Sequence, residues 1–378
     1  MKPKTESWSE HLKPLALPRL PSRPFVSVLI ANYNYGRFLG QALESVLAQT
    51  YENFEIVVCD DGSTDESREI LAAFGQKFRQ LTVLLQDNAG QSEAILAAFQ
   101  ASCGEIVCFL DSDDTFLPPK LEEVVKAFMD APEAGFLVHR LIASDASLRM
   151  MRPIPAVGKL VRGWKAPQMS LSSPQMLWGM PPTSGLALRR AVAERILPCL
   201  RGSRAFADSV IQVLAPLITP IVAIDSPVGL YRVHGENAFS LRKFTAADLE
   251  SLSLRDSELW RAWRSFVRTI APDLPGGYPT PPENTPSVYQ YARARMKGEA
   301  ISNALYRDVI AGPWVAAMYW PYRWFWKSSA FLPDWLFEMS FNFAYGKGLG
   351  KQTISRIVQW LRAERAIAWK TPTEAKEK

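Results

Sequence analysis

Four apolar runs alternate with segments of helical spacing in the first part of the chain. The runs cover residues 25–31, 54–59, 81–85 and 106–110, and most of their side chains are β-branched or bulky. In the intervening segment 37–48, apolar residues recur at every third or fourth position, as in an amphipathic helix. Strands that alternate with helices in this way form βαβ units with parallel strands. The sequence therefore predicts an α/β fold with a Rossmann-like, mainly parallel central sheet flanked by helices.

Acidic residues follow two of the predicted strands. Asp60 and Asp61 come directly after the second run, and Asp111, Asp113 and Asp114 come directly after the fourth. The carboxyl ends of parallel strands line the ligand crevice of an open sheet, and clustered carboxylates repel one another unless a positive partner neutralises them. Oxygen ligands favour Mg²⁺ or Mn²⁺, whose remaining positions are filled by substrate phosphates and waters. The sequence predicts such a metal site, and a turn or helix cap is the alternative interpretation.

Two nucleotide-binding motifs are missing from the predicted sheet. The loop 32–36 after the first strand has no Gly-x-Gly-x-x-Gly pattern, and no Walker lysine loop follows any strand. A nicotinamide or flavin dinucleotide fold is therefore not expected. A nucleotide here would be held by acids, a metal and polar loop groups.

Beyond residue 135 the pattern is less regular. The elements predicted there are a strand from Phe136, a long connection over 146–182, a short strand over 186–188 followed by a helix, a helix opening at 206–211, and strands over 221–224 and 229–234. These elements close the first domain near residue 240. The sequence thus predicts an irregular, Pro-rich leader over residues 1–23 and a first domain over residues 24–240.

Residues 241–378 are predicted to be mainly helical, basic and rich in aromatic residues. Helices are expected at 246–270 and 288–311, with a Pro/Gly-rich linker between them. The segment 314–327 combines Trp and Tyr with flanking Arg and Lys, a composition typical of membrane-interface elements. Two interpretations remain open: a helical cap that packs on the first domain, or a surface that lies on the cytoplasmic leaflet of a membrane.

Charge and cysteine content refine this picture. The 378 residues carry a net charge of +5, and residues 241–378 hold 20 Lys/Arg against 13 Asp/Glu, which suggests an anionic surface as partner or a merely solvated basic face. The four cysteines lack metal-site spacing and are expected to be free thiols. No apolar run is long enough to span a membrane, and the N-terminus is not signal-like. A cytoplasmic protein, at most peripheral at the inner face of the plasma membrane, is expected.

Five motifs of the sequence occur in an order that is typical of a known family. They are Phe25–Asn34, Asp60–Ser63, Asn88–Gln91, Gly104–Asp114 and Tyr231–His234. Their order and spacing resemble those of family 2 glycosyltransferases with the GT-A fold, and the resemblance covers roughly residues 24–240. It implies a GT-A catalytic domain followed by a helical C-terminal extension. The resemblance also implies an inverting enzyme. The chain has no Gln-x-x-Arg-Trp motif and no spanning helix, which the polymerising membrane synthases of this family carry, so an enzyme that adds one sugar at a time is expected.

The resemblance also implies roles for individual residues. Asp208 falls where inverting members carry the catalytic base, although Ala207 replaces the usual preceding acid. Asp113 is expected to ligate the metal directly, together with Asp111, which also faces the ribose or the donor sugar. The other residues expected to bind the nucleotide sugar are Ala31, Tyr33, Asp60, Asp61, Asn88, Gly90, Gln91, Ser112 and His234. Of these, Asp61 and its support Asp60 would hold the nucleobase, Tyr33 would line the base pocket, and His234 would reach the diphosphate.

Each of these roles has a simpler alternative. The Asp60–Ser63 and Asn88–Gly90 segments also suit plain turns, Tyr33 suits loop packing, and Asp208 suits a helix start. In the helix after Gln91, Leu96 replaces a residue that is often Asn in relatives. Donor contacts there are expected to differ.

The leading functional hypothesis is a metal-dependent, hexosyltransferase-type enzyme that builds a surface polysaccharide or glycolipid. Its expected partners are a nucleotide-diphosphate sugar, with a UDP-sugar favoured, and a sugar or lipid-linked sugar acceptor; no nucleic acid is expected. The alternatives are a non-catalytic sugar-nucleotide-binding scaffold and a nucleotidyltransferase. The latter would need basic residues in an early glycine-rich loop, and residues 32–36 supply none.

Overall fold

The computed structural model describes residues 12–154, 160–165, 180–203, 207–234, 237, 244–272, 288–299, 309, 326–327 and 329–345. The chain divides into two compact units. The first comprises residues 1–234 and 254–284, and the second comprises residues 235–253 and 285–378. The boundaries predicted at residues 24 and 240 remain predictions.

One mixed sheet forms the centre of the first unit. Within the described residues its strands are β1 (Val26–Asn32), β2 (Phe54–Asp61), β3 (Leu81–Gln86), β4 (Ile106–Asp111), β5 (Thr115–Phe116), β6 (Phe136–Ser144), β7 (Met150–Ile154), β8 (Leu186–Arg189) and β9 (Ile221–Arg232). Their spatial order is β3-β2-β1-β4-β8-β6-β9-β5, and β7 pairs with β6. The first four strands are parallel, whereas β8 joins β4 and β6 by antiparallel pairing.

Helices cover both faces of this sheet. They are α1 (Gly36–Leu47), α2 (Ser67–Lys77), α3 (Gln91–Gln100), α4 (Lys120–Asp130), α5 (Arg190–Ile196), α6 (Ala207–Leu214) and, of α7 (Ala246–Ile270), the part from residue 254 onward. Successive side chains of a strand point to opposite faces, so both faces of the parallel strands must be apolar if both are covered. In β1, Leu29 packs in one core cluster with α3, α5 and α6, whereas Val28 and Ile30 pack in another with α1, α2 and α4.

The predicted α/β fold class with flanking helices is therefore confirmed. Two details differ from the expectation. The strands predicted separately at 221–224 and 229–234 form one strand, β9, because register shifts opposite His139 and Arg140 accommodate the extra residues. The connection predicted over 146–182 contains β7, whose Pro153 is tolerated because β7 lies at the sheet edge.

The second unit has its own small aromatic core. Its described helices include α8 (Val288–Met296) and α9 (Asp334–Tyr345). The buried apolar residues of this core are Leu249, Tyr291, Ala292, Val309, Trp326, Phe337 and Phe341. Buried Arg295 donates to Asp334 at 2.8 Å and to the carbonyl oxygens of Ser329 and Leu332, so its charge and hydrogen-bonding groups are satisfied.

The predicted C-terminal elements are described only in part. The helix predicted at 246–270 coincides with α7, and α8 covers the start of the helix predicted at 288–311. Most of the aromatic segment 314–327 lies outside the described residues, as does everything after residue 345. Among the helices that the structure describes, none combines the length and the apolar character needed to cross a membrane.

Replacement of Gly104 by alanine is expected to destabilise the first unit by about 1–3 kcal/mol. A Cβ at this position would lie 2.6 Å from the backbone nitrogen of Ser27 and 2.7 Å from the carbonyl oxygen of Phe25, so backbone would have to move. Urea unfolding of the purified variant measures the change in the free energy of unfolding.

Gly75→Ala is the matched control, because exposed Gly75 lies within helix α2 and a Cβ there would meet nothing within 4 Å. It should stabilise the chain by about 0.5–1 kcal/mol through helix propensity. Equal effects of the two substitutions would contradict the observed packing at Gly104.

Candidate active site

The ends of β1 and β2 are joined by a buried carboxylate, that of Asp60. Its oxygens accept hydrogen bonds from Asn32 Nδ2 at 2.8 Å, from the backbone N–H of Ser63 at 3.1 Å and from Arg68 Nε at 3.3 Å. Asn32 and Asp60 are also direct register partners in the sheet. Asp60 therefore holds the loops after the two strands together.

Asp61 anchors the loop that precedes helix α3. Its carboxylate accepts hydrogen bonds from Gln86 Nε2 at 2.6 Å and from the backbone N–H groups of Ala89 and Gly90 at 2.8 Å each. Asn88 Nδ2 donates to the carbonyl oxygen of Asp61 at 3.1 Å. The structure thus brings Asp61, Asn88 and Gly90 together, and the predicted contact of Asp61 with a nucleobase stays a prediction.

A glycine permits the close approach of these two loops. Gly62 has φ +79°, and a Cβ there would lie 2.8 Å from the backbone nitrogen of Asn88. Such a backbone conformation is rare for other residues. Gly62 therefore allows the turn after β2 to lie directly against Asn88.

Ala31 and Tyr33 lie at the carboxyl end of β1. Ala31 is aligned with Asp111 in the parallel pairing of β1 with β4. Tyr33 follows the strand and leaves 47% of its surface exposed. The backbone N–H of the next residue, Asn34, donates to Ser63 Oγ at 2.9 Å, which holds this turn against the end of β2. The Tyr33 ring is thus open to solvent beside the strand ends.

The acid turn, defined here as residues 111–114, is the centre of the site. One carboxylate oxygen from each of Asp111, Asp113 and Asp114 lies within 4.8 Å of the others. Gln91 Nε2 donates to Asp111 Oδ1 at 3.1 Å, and His234 Nε2 lies 2.9 Å from Asp113 Oδ2. The loop before α3 and the segment after β9 therefore both reach the acid turn.

Burial and the neighbouring carboxylates raise the pKa values of Asp111 and Asp114 in the acid turn. Desolvation raises the pKa of Asp111 well above its ordinary value, and the charges of Asp113 and Asp208 raise it further. Hydrogen bonds from Thr183 and Gln91 oppose this shift. A neighbouring positive charge would relieve the repulsion.

The acid turn fits a divalent cation. Its oxygen-only donor set suits hard ions such as Mg²⁺ or Mn²⁺, which are commonly held by one or two carboxylates. The predicted ligands Asp111 and Asp113 both lie in this cluster, with buried Ser112 between them, and their ligation of a metal stays a prediction.

Asp208 lies in the first turn of helix α6 and is half-buried. Desolvation raises its pKa, while the backbone N–H and hydroxyl of Ser209 donate to Oδ1 at 2.6 and 3.3 Å and oppose the shift. Its charge contributes to the raised pKa values of both Asp111 and Tyr231. Asp208 therefore lies within electrostatic range of the acid turn.

Residues that the sequence analysis did not identify complete the surroundings of the acid turn. Ser184 Oγ donates to Asp114 Oδ2 at 2.6 Å and accepts from the backbone N–H of Asp111 at 3.0 Å. Buried Arg232 donates from Nε to the carbonyl oxygen of Asp113 at 2.6 Å. In the sequence, the polar pair Thr183–Ser184 directly before a short strand was the feature that could have indicated the contact of Ser184 with Asp114.

A lysine is fully buried behind the acid turn. Lys120 Nζ donates to the carbonyl oxygen of Ser184 at 2.9 Å and lies 3.4 Å from the centroid of the Phe116 ring. Desolvation lowers the pKa of Lys120 from its ordinary 10.5 to about 7, and the charges of Cys108 and Asp114 oppose the shift. Its protonation therefore couples to folding near neutral pH.

Comparison with known proteins identifies the class of this domain. The family model described as "Glycosyl transferase family 2" matches residues 27–196. The matched region contains every predicted nucleotide-sugar and metal residue except His234. Residues 27–196 therefore form a glycosyl transferase family 2 domain, which confirms the resemblance and its predicted enzyme class.

Individual relatives carry the same description. The chain is 36% identical over 220 residues to "Uncharacterized glycosyltransferase alr2836" of Nostoc sp. This alignment covers 56% of this chain and 66% of that protein. It is 33% identical over 127 residues to "Putative teichuronic acid biosynthesis glycosyltransferase TuaG" of Bacillus subtilis. This second alignment covers 33% of this chain and 50% of TuaG. The chain thus spans less than two thirds of each relative.

A solved structure with a similar chain path is residues 1–349 of S. aureus TarS in complex with UDP-GlcNAc. Its TM-score is 0.49, its sequence identity is 16%, and the match covers 83% of this chain and 89% of that one.

Replacement of buried Lys120 by methionine is expected to alter the pH dependence of stability. The folded-state pKa of about 7 lies below the ordinary 10.5, so the unfolded chain binds more protons between these values and wild-type stability rises with pH there. Relative to Lys120→Met, the wild type should gain roughly 1 kcal/mol per pH unit above pH 7. Urea unfolding at pH 7.0 and pH 8.5 measures this difference.

Lys126→Met is the control on the same helix, because exposed Lys126 pairs with Asp130 and its pKa is raised rather than lowered. Its stability difference from the wild type should not change between the two pH values. A pH-independent difference for Lys120→Met would contradict the lowered pKa.

Proposed function

We propose that this chain is an inverting, metal-dependent glycosyltransferase of the hexosyltransferase type. It moves a sugar from a nucleotide-diphosphate donor to a hydroxyl acceptor in the synthesis of a surface polysaccharide or glycolipid. The observation that carries the proposal is the cluster of Asp111, Asp113 and Asp114 inside the region that matches family 2 glycosyltransferases, with Asp208 in electrostatic range of it. TuaG, whose name refers to teichuronic acid biosynthesis, supports the polysaccharide assignment through the similarity of one third of this chain.

The nucleoside half of the donor is assigned to the ends of β1 and β2. The exposed Tyr33 ring offers a face on which a base can stack, and Ala31 lies two residues earlier, near the end of β1. Asp61 would accept a hydrogen bond from the base in exchange for one of its present loop contacts, while Asp60 keeps the two loops in place. The Asn88–Gln91 loop, which contacts both Asp61 and Asp111, would contact the donor between these two carboxylates. A UDP-sugar is the favoured donor.

The diphosphate half is assigned to the acid turn. Asp113 and Asp111 would hold a Mg²⁺ or Mn²⁺ ion, whose bound charge would stabilise the departing diphosphate. His234 contacts Asp113 from the segment after β9, and its ring is 4.7 Å from that of Phe38. This packing would orient the imidazole towards the diphosphate.

Asp208 is assigned the role of general base. The acceptor hydroxyl oxygen forms a bond to the anomeric carbon, the bond from that carbon to the diphosphate oxygen breaks, and the hydroxyl proton moves to the Asp208 carboxylate. One displacement without a covalent intermediate inverts the anomeric centre. Burial raises the pKa of Asp208, which makes it a stronger base than an exposed aspartate and moves the acid limb of the pH–rate profile upward.

The cellular setting is also a proposal. All four cysteines are free thiols, and that of Cys103 is exposed, which supports a reducing, cytoplasmic compartment. The proposed contact of the C-terminal region with the inner face of the plasma membrane relies on its basic and aromatic composition. A lipid-linked sugar acceptor would be compatible with that location, and a sugar acceptor in solution would not need it.

Asp208→Asn separates an enzyme from a non-catalytic sugar-nucleotide-binding scaffold. The variant should keep its thermal shift with UDP-, GDP- or dTDP-sugars in the presence of Mn²⁺, because Asp208 is not assigned to the donor. Its turnover should fall by about 10²–10⁴-fold, the usual contribution of a general base. Release of nucleoside diphosphate from the stabilising donor, with water or a sugar as acceptor, measures turnover.

Asp225→Asn is the control, because Asp225 is an exposed carboxylate on β9 that pairs with Arg162. It should leave both readouts unchanged. Full turnover by Asp208→Asn would remove Asp208 from the mechanism. A wild-type chain that a donor stabilises but that releases no nucleoside diphosphate would favour the scaffold, and a chain that no donor stabilises, with or without Mn²⁺, would contradict both.

A further inference from the structure

The third acid of the acid turn is held differently from the other two. Asp114 is fully buried, and both of its carboxylate oxygens accept short hydrogen bonds from the protein: Oδ2 from Ser184 Oγ at 2.6 Å and Oδ1 from the backbone N–H of Arg232 at 2.8 Å. We propose that Asp114 and Ser184 are positioning residues, which hold the turn so that Asp111 and Asp113 face the cation, and that Asp114 is not itself a ligand. This inference rests on the proposed function, since it concerns the same cation.

The hydrogen bonds of Asp114 leave no carboxylate oxygen without a protein donor. A move of Oδ1 towards a cation would strip the buried backbone N–H of Arg232 of this acceptor. A move of Oδ2 would do the same to the hydroxyl of fully buried Ser184. Buried donors without partners are costly, so these bonds oppose any turn of Asp114 towards a ligand. Asp111, by contrast, is only half-buried.

Ser184 connects the two ends of the turn. Its Oγ accepts the backbone N–H of Asp111 at 3.0 Å while donating to Asp114, and the backbone N–H of Asp114 donates to the carbonyl oxygen of Asp111 at 3.0 Å. The carbonyl oxygen of Ser184 in turn accepts from Lys120 Nζ at 2.9 Å. The serine is therefore held on one side by a buried lysine and holds the acid turn on the other.

Arg232 closes the arrangement from β9. In addition to its backbone bond to Asp114, its Nε donates to the carbonyl oxygen of Asp113 at 2.6 Å, and its guanidinium also reaches Gln41 Oε1 at 2.8 Å. The turn is thus held at the backbone of Asp111 and Asp113 and at the side chain of Asp114. Such outer contacts orient metal ligands and tune their affinity.

An asparagine at position 114 discriminates between a ligand and a positioning residue. The amide has the shape of the carboxylate; its oxygen can accept from Arg232 N–H, and its NH₂ group can donate to Ser184 Oγ, which has two acceptor lone pairs. Asp114→Asn therefore keeps an acceptor for the Arg232 N–H and a hydrogen bond to Ser184 Oγ, now in the reverse direction, while it removes the negative charge that a ligand would need. Asp114→Ala removes both hydrogen bonds, and Ser184→Ala removes the serine half of the arrangement.

The test is a titration of the full chain with Mn²⁺ alone. The electron paramagnetic resonance signal of the free ion measures the dissociation constant of Mn²⁺. Asp114→Asn should weaken Mn²⁺ binding by no more than about threefold, whereas Asp114→Ala and Ser184→Ala should weaken it by about 10-fold or more. Asp113→Asn, which removes a ligand, should weaken it by about 100-fold.

Ser27→Ala is a matched control at the amino end of β1, away from the carboxyl ends of the strands where the acid turn lies. Ser27 is also fully buried, and its Oγ likewise accepts a backbone N–H, that of Gly104 at 2.8 Å, and donates to a carboxylate, that of Glu55 at 2.7 Å. It should lower the unfolding temperature without changing the Mn²⁺ affinity. Circular dichroism of every variant checks that it is folded; if Asp114→Ala is not, Ser184→Ala and Asp114→Asn decide the question.

The possible failures are distinguishable. A loss in Asp114→Asn as large as that in Asp113→Asn would make Asp114 a ligand and overturn this inference alone. Wild-type affinity in Ser184→Ala and Asp114→Ala would also overturn it, because the turn would then not depend on these bonds. A wild-type chain that binds a donor sugar but no Mn²⁺ would remove the metal from the proposed function and this inference with it.

Discussion

The repulsion between carboxylates at the end of a buried strand is the constraint on which the site depends. β4 is apolar and buried up to Leu110, and three of the next four residues, Asp111, Asp113 and Asp114, are acids. Like charges in a desolvated site raise one another's pKa values. The protein offsets this cost with donors from several elements: Gln91, Ser184, Arg232 and His234 all contact the acid turn. The remaining need for positive charge is what suits the site to a cation and a diphosphate.

The parallel half of the sheet brings the two acidic segments to one edge. β1 lies between β2 and β4, and its register aligns Asn32 with Asp60 and Ala31 with Asp111. The three strands β1, β2 and β4 therefore end side by side at one edge of the sheet, where an open α/β sheet has its ligand crevice. The mixed part of the sheet has a different role, because β8, which is antiparallel to β4, and β9, which is parallel to β6, bring Ser184 and Arg232 against the acid turn. A mixed sheet thus joins a nucleotide-binding edge to the support of its acids.

The first half of the fold and the acids of the site were predictable from sequence because each depends on local pattern. Continuous apolar runs predict strands buried on both faces, and acids directly after them must lie at the carboxyl edge. The contacts of Ser184 and Arg232 were not predictable, since they pair residues 70 and 118 positions away from Asp114. The continuity of β9 was missed for a related reason: Asp225 and Pro227 interrupt its apolar pattern, and register shifts against β6 accommodate them. Long-range pairing decides both features.

A crystal structure of the chain soaked with Mn²⁺ and UDP tests the central claim most directly. The account predicts an anomalous manganese peak about 2.1 Å from a carboxylate oxygen of Asp113, with Asp111 beside it and phosphate oxygens of the nucleotide completing the coordination. Nucleotide bound with its diphosphate away from the acid turn, or manganese bound elsewhere while Asp111 and Asp113 stay unliganded, would contradict it.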